Sequence, residues 1–337
     1  VNSLEILWQE LDAEPVTAAG EVQRRLKTPT QFEAFLTQSR PLRRLGLLVA
    51  FDEGPGSLWK QVHSSHGVVV SVDPRAAHPW VRIEERDDRF HSVFAALVHD
   101  LVGGLVVLEG LPRKTRPIGM DFVLGRLARW QTCLRAQPEG LSGEKRAGLV
   151  GELEVLKQLV DGGVAPNDAV LHWTGPADAI QDFQFPGGSI EVKASRQTQP
   201  TAVRITSERQ LDTTTTPLLL LVHVAVDERT GGAGKSLPEI VEAARDAVGR
   251  SSDAGLLLDD RLIEYGYLEV HLDKYGDSSY SIRSLDWYEV SDGFPRLVEA
   301  DMPPGVGDAA YSLALSACEA HRLAPEAVPA RAMELSS

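Results

Sequence analysis

Apolar residues recur at helical spacing over residues 3–13, at Leu4, Leu7, Trp8 and Leu11, and predict a short amphipathic helix. The pattern then shortens. Residues 45–51 (Leu-Gly-Leu-Leu-Val-Ala-Phe), 66–72 and 79–84 have the apolar, β-branched character of strands. Residues 89–102 return to helical spacing at Phe90, Phe94, Leu97 and Leu101. A long helix follows over 118–136, with Trp130 and Leu134 on its apolar side, and Pro138-Glu139-Gly140 breaks it. The first part of the chain is therefore expected to be a small α+β domain, residues 1–137, with no catalytic constellation of its own.

A second domain, residues 138–337, is expected to begin with a helix capped by Ser142 and running to about residue 160. Beyond it, short strands are predicted around Asp182, across a Pro186-Gly187-Gly188 turn at 190–194, and at 202–206. A buried strand is predicted from 217 to 226, helices at 237–248 and 254–265, and strands near 266–272 and 279–290. The segment Gly231-Gly232-Ala233-Gly234-Lys235-Ser236 ends like a phosphate-binding loop. Arg229 stands where the first glycine of that motif belongs, so a plain loop is the reading.

The chemistry concentrates in the hairpin. Strand side chains alternate, so Glu191 and Lys193 share one face while Ile190 and Val192 share the other. The turn should bring Asp182 beside them. Two carboxylates and an ammonium on one sheet edge can hold a divalent metal and manage a proton. The triplet by itself is weak, because an E-x-K or D-x-K arises about once by chance in such a chain. An exposed Glu-Lys hairpin face is its plain structural alternative. Upstream, Gly148 and Gly151 lower helix propensity in the helix that carries Glu152. A close approach of that helix to the sheet would explain them and would set Glu152 over the hairpin. The histidines show no zinc-ligand spacing, and His172 and His223 are expected to be structural.

Charge and cysteine content narrow the setting. A net charge of −14 argues against nonspecific coating of nucleic acid, though not against a local basic cleft. Cys133 and Cys318 are far apart, there is no basic segment followed by an apolar one at the start, and no uninterrupted apolar run is long enough to span a membrane. A cytoplasmic protein without disulfides is the expectation.

Several segments carry a resemblance: Trp130-Gln131, Gly148-Leu149-Val150-Gly151-Glu152-Leu153, Trp173-Thr174-Gly175-Pro176, Gln181-Asp182-Phe183 and Ile190-Glu191-Val192-Lys193-Ala194, with Gln210-Leu211-Asp212 and Phe294-Pro295 further on. The chain resembles the PD-(D/E)XK nuclease superfamily. More narrowly it is similar to a bacterial family of PD-(D/E)XK motif proteins, some found beside restriction or phage-defence genes. The resemblance implies an α/β domain of the restriction-endonuclease-like kind, a mixed central sheet flanked by helices. It implies Mg²⁺ (or Mn²⁺) held by Asp182, Glu191 and Glu152, with Lys193 acting on water and phosphate. It implies DNA as substrate, with restriction or defence proteins, or a second copy of the chain, as partners. Gln210 falls where related nucleases sometimes place a polar residue. Gln181 departs from the proline in the motif's name, at a position that varies. A noncatalytic interaction subunit on the same fold is the rival expectation.

Overall fold

A computed structural model of the chain describes residues 2–14, 19–26, 32–55, 64, 67–87, 90–112, 118–136, 139–177, 179–196, 202–250 and 252–336. It divides into two compact units, Val1–Pro138 and Glu139–Ser337.

In the first unit, α1 (Asn2–Ala13) precedes β1 (Gly20–Arg25), β2 (Glu33–Arg40), β3 (Arg44–Ala50), β4 (Val68–Asp73) and β5 (Trp80–Glu85), then α2 (His91–Gly110) and α3 (Gly119–Ala136). The strands form one antiparallel sheet in the order β1-β2-β3-β5-β4. Strands β1 and β2 were hidden from pattern reading for a physical reason. β1 is a polar edge strand, and β2 buries Thr37 and Gln38 beside Leu36, which erases the alternation. Helix α2 runs further than its spacing suggests. Gly104 does not break it; a Cβ there would meet the Phe122 ring at 2.5 Å, so the glycine admits α3. By length and composition α2 could cross a membrane, with a mean hydropathy of 1.7. Yet it carries Asp100 mid-helix and buries Phe94, Leu101 and Leu108, as a core helix does.

The second unit starts with α4 (Gly143–Asp161), whose first turn is capped by the Ser142 hydroxyl accepting from Lys145 N at 3.3 Å. Then come α5 (Pro166–Leu171), β6 (Phe183–Phe185), β7 (Gly188–Ser195), β8 (Ala202–Ile205), β9 (Leu219–Thr230) and β10 (Lys235–Ser236). Helices α6 (Leu237–Val248), α7 (Asp253–Tyr265) and α8 (Leu272–Tyr275) lead to β11 (Ser278–Glu289), β12 (Tyr311–Ala314) and α9 (Val328–Leu335). The central sheet has the order β10-β11-β9-β7-β6 and is mixed: β7 and β9 are parallel and the other neighbours antiparallel. This is a mixed α/β fold consistent with the PD-(D/E)XK kind.

Two expectations need correction. Residues 266–272 are not a strand. Gly266 ends α7 with φ +108°, and the chain continues as a 3₁₀ turn, Glu269–His271, into α8. Lys235-Ser236 is not plain loop either: it pairs with β11, and Ser236 caps α6 in a reciprocal capping box with Glu239.

Alternation divides the chemistry of the central sheet. One face presents Ile190, Val192, Val222, Val224 and Val226 to α4 and the other helices in the main core. Gly151 makes that contact close. A Cβ on it would lie 3.1 Å from Ala194 Cβ and 3.6 Å from both Val192 Cγ1 and Val224 Cβ. The opposite face carries Glu191, Lys193 and Ser195 of β7. At one end it is sealed by a smaller apolar cluster that includes Ile205, Leu211, Leu221, Tyr288 and Leu313.

Candidate active site

The β6–β7 register sets the geometry. Phe183 pairs with Ile190 and Gln184 with Ser189, so the next step places Asp182 against Glu191 on the same face. The Asp182 main chain is fixed from the other side. Its carbonyl accepts from the amides of Thr174 and Gly175, at 2.8 and 2.9 Å, so the Trp173–Pro176 segment is the clamp that presents it. One carboxylate oxygen, Oδ2, accepts from Val192 N at 2.7 Å.

Glu191 is 1% exposed, which removes the exposed-hairpin alternative. Its Oε1 meets the Lys193 ammonium at 2.5 Å, and its Oε2 is buried with no hydrogen-bond partner. Lys193 Nζ also donates to Gln210 Oε1 at 3.3 Å. That oxygen accepts as well from Thr206 N at 2.9 Å and Thr206 Oγ1 at 3.1 Å, so Gln210 holds the ammonium from a braced position. Gln181 ties this loop back: its Nε2 donates to the carbonyls of Arg209 and Gln210, at 3.2 and 3.4 Å. A proline at that position could do neither.

Glu152 faces the same place from α4. It is buried, and its oxygens are held by Trp173 Nε1 at 2.7 Å and the Tyr265 hydroxyl at 3.0 Å. The second of these explains Gly148, whose Cβ would sit 2.9 Å from the Tyr265 oxygen. Only Gly151 therefore serves the helix–sheet contact; Gly148 makes room for a residue that grips Glu152. Gly175 completes the cradle. A Cβ on it would fall 2.6 Å from Glu152 Oε2 and 3.0 Å from Asp182 Oδ1, so the space between the two carboxylates is kept by a missing methyl.

Three acids and one ammonium share this pocket of charge. Burial, then Asp182, pushes the Glu191 carboxyl up to about 8, against the pull of Lys193. Burial first, then Asp182, raises Glu152 well above the carboxylate range, opposed by its bonds to Trp173 and Tyr265. Asp182 is also raised by burial, with Val192 N and Lys193 opposing. All three shifts have the same direction and the same first cause, burial, so each acid favours its neutral form more than a free carboxyl does unless a cation compensates it.

Among the described residues no three His, Cys, Asp or Glu side chains stand together in ligating positions. The expected trio of Asp182, Glu191 and Glu152 converges electrostatically but is turned to other partners: Glu152 to Trp173 and Tyr265, Asp182 Oδ2 to Val192, Glu191 Oε1 to Lys193. A cavity of about 820 Å³ lies elsewhere in the second unit, between α4, β11 and the α9 region, and none of the four residues lines it. His172 belongs to the packing, with Nδ1 on Gln184 O at 2.7 Å and its ring against Phe185.

Residues 4–316 match the family described as "Putative PD-(D/E)XK family member, (DUF4420)". The chain belongs to this family. No curated protein and no solved structure matches the chain. Pattern reading missed Trp173 and Tyr265 as the groups that hold Glu152, and Gln181 as the link to Gln210. Nothing in local spacing signals such contacts, because each joins separate elements.

Proposed function

We propose that this member of the family is a metal-dependent phosphodiester hydrolase that cleaves DNA in a restriction or phage-defence system, its first unit recognising a DNA feature or a partner protein. One observation carries the reading: Asp182, Glu191 and Lys193 lie on one sheet face, with the ammonium on one Glu191 oxygen and the other oxygen buried and unsatisfied. Oxygen donors in an acid-rich, under-compensated pocket fit a hard divalent cation such as Mg²⁺ or Mn²⁺. Asp182 and Glu191 would hold it, with Glu152 beside them across the Gly175 cradle. When bound, such an ion neutralises charge on the phosphate and makes water more acidic.

The chain's own groups supply the rest. As the water oxygen bonds to phosphorus and its proton passes to solvent, the ester P–O bond breaks, the leaving oxygen takes up a proton from solvent to become a hydroxyl, and negative charge gathers on the phosphate oxygens. Lys193 meets that charge with a preorganised ammonium, aimed by Gln210 and Glu191. Burial on the sheet face strengthens its field. The net charge of −14 confines DNA binding to places where local cations and the metal offset it.

The test is purified protein with Mg²⁺ or Mn²⁺ on plain and modified DNA, alone and with candidate operon partners. Lys193→Ala should keep metal affinity and lose about a hundredfold or more in rate. Asp182→Ala should weaken metal binding itself. Equal cleavage by wild type and Lys193→Ala would overturn the assignment. No cleavage and no metal binding in any condition would favour a noncatalytic interaction subunit.

A further inference from the structure

A second row of polar groups crosses the same sheet face beyond Lys193. In the β7–β9 register Lys193 lies against His223, and in the β9–β11 register His223 lies against Asp286. Ser195, two residues past Lys193, points to the same side. Its hydroxyl is 2.7 Å from His223 Nε2. On the other side of the ring, buried Nδ1 faces Asp286 Oδ2 at 3.9 Å, an electrostatic contact longer than a hydrogen bond. Asp286 is itself held by Arg322 and by the Ser284 hydroxyl at 3.0 Å.

This row is poorly explained as packing. His223 is 1% exposed and leaves a ring nitrogen unsatisfied, a costly arrangement for a group that serves only the core. Ser195 is only partly buried, so the buried pair ends at a residue that borders solvent. The position of that hydroxyl is informative. It stands one strand step from Lys193, on the face where the phosphodiester reacts, and a chain substrate carries further phosphates on either side of the one attacked.

We infer that Ser195, with His223 and Asp286 behind it, is a second phosphodiester-binding element of this site, holding a backbone phosphate adjacent to the one that is cleaved. The inference rests on the proposed hydrolase only for the word "cleaved"; the binding element is defined by its own geometry. With neutral His223, the Asp286 carboxylate favours the tautomer with hydrogen on Nδ1, and Ser195 then gives its hydrogen to Nε2. An approaching anion reverses this. His223 takes a proton from solvent at Nε2 and donates it to Ser195 Oγ, and the serine O–H turns to the phosphate oxygen. Nδ1–H still faces Asp286. Binding is then coupled to uptake of one proton. The charged groups that face the ring are Asp286 and Arg283 on β11, Lys193 on β7 and, through Asp286, Arg322. Burial holds free His223 below its ordinary value, against the pull of Asp286, which favours uptake on binding.

The experiment is fluorescence anisotropy of a labelled DNA duplex with metal-free protein, from about pH 6 to about pH 8, on wild type, Ser195→Ala and His223→Gln. Ser195→Ala should bind about tenfold more weakly, the loss expected for a hydrogen bond to a charged group. Its salt dependence should be unchanged, because no cation is removed. Wild-type affinity should fall more steeply with rising pH than that of His223→Gln; ionisation of Glu191 affects both alike and cancels. Should His223→Gln not fold, Ser195→Ala, at a partly exposed position, supplies the same comparison, since it breaks the link between His223 and the phosphate. Unchanged affinity in Ser195→Ala, or identical pH slopes, would overturn the inference, as would a wild type that binds no duplex. Duplex binding with this pH and Ser195 dependence, but no cleavage and no metal binding in any condition, would instead overturn the hydrolase reading and leave this one standing.

Discussion

The two units each bury a charged cluster, and the clusters differ in one respect. In the first unit Asp100 accepts from Arg126 Nε and Nη2, both at 2.7 Å, and from Trp130 Nε1 at 2.9 Å. Among the described residues this acid meets a guanidinium and an indole, and both its oxygens are satisfied. In the second unit Glu152, Asp182 and Glu191 share one ammonium, and Glu191 keeps an oxygen with no partner. A closed cluster of the first kind ties α2 to α3 and leaves neither carboxylate oxygen without a donor. An open cluster of the second kind lowers stability where it sits, and its residual demand is for positive charge. That contrast separates a structural polar site from a candidate catalytic one without reference to sequence motifs.

The contrast can be broken from either side. The largest effect is expected at the closed cluster. Arg126→Ala leaves Asp100 uncompensated and should destabilise the first unit by about 3–5 kcal/mol, read by denaturant unfolding, with metal binding by the second unit unaffected. The open cluster should respond with the opposite sign. A group whose folded value lies near 8 against an ordinary 4.5 is destabilising above its unfolded value, because the unfolded chain releases the proton more readily. Stability should therefore fall as pH rises from about 4.5 to about 8, and Glu191→Gln should remove much of that slope and gain on the order of 2 kcal/mol at neutral pH. A smaller effect tests the cradle. Gly175→Ala places a methyl between Glu152 and Asp182 and should cost about 1–2 kcal/mol by overpacking. It should also weaken Mn²⁺ binding measured by calorimetry. A Gly175→Ala protein with wild-type metal affinity would show that the space between those carboxylates is irrelevant to the ion.

What was legible in the sequence follows from the range of each interaction. The helix cap at Ser142, the facing of Glu191 and Lys193, and the close approach at Gly151 depend on local period and residue size, and the pattern carries them. The β1–β2 hairpin was not legible, because Thr37 and Gln38 are buried polar residues that disguise a core strand. Residues 266–272 looked like a strand because Tyr267 and Leu268 are apolar, but the positive φ at Gly266 turns the chain into a short helix. The support of the site was the least visible part. Trp173 and Tyr265 reach Glu152 from different elements, and Gln181 reaches Gln210 across a loop. Spacing along the chain holds no record of such contacts. Resemblance marks the motif residues more sharply than pattern does, and the register explains why Asp182 and Glu191 lie side by side.

The most direct test of the open cluster is a calorimetric titration of Mg²⁺ and Mn²⁺ into the metal-free protein at pH 7, repeated in buffers of different ionisation enthalpy. If the acids are a cation site, the ion binds with release of protons, because carboxyls raised by burial must ionise to accept it. Asp182→Ala and Glu191→Gln should each abolish or strongly weaken that binding, while Arg126→Lys in the first unit leaves it intact. A wild type that binds neither ion, or one that binds without proton release and equally well after both substitutions, would contradict the account.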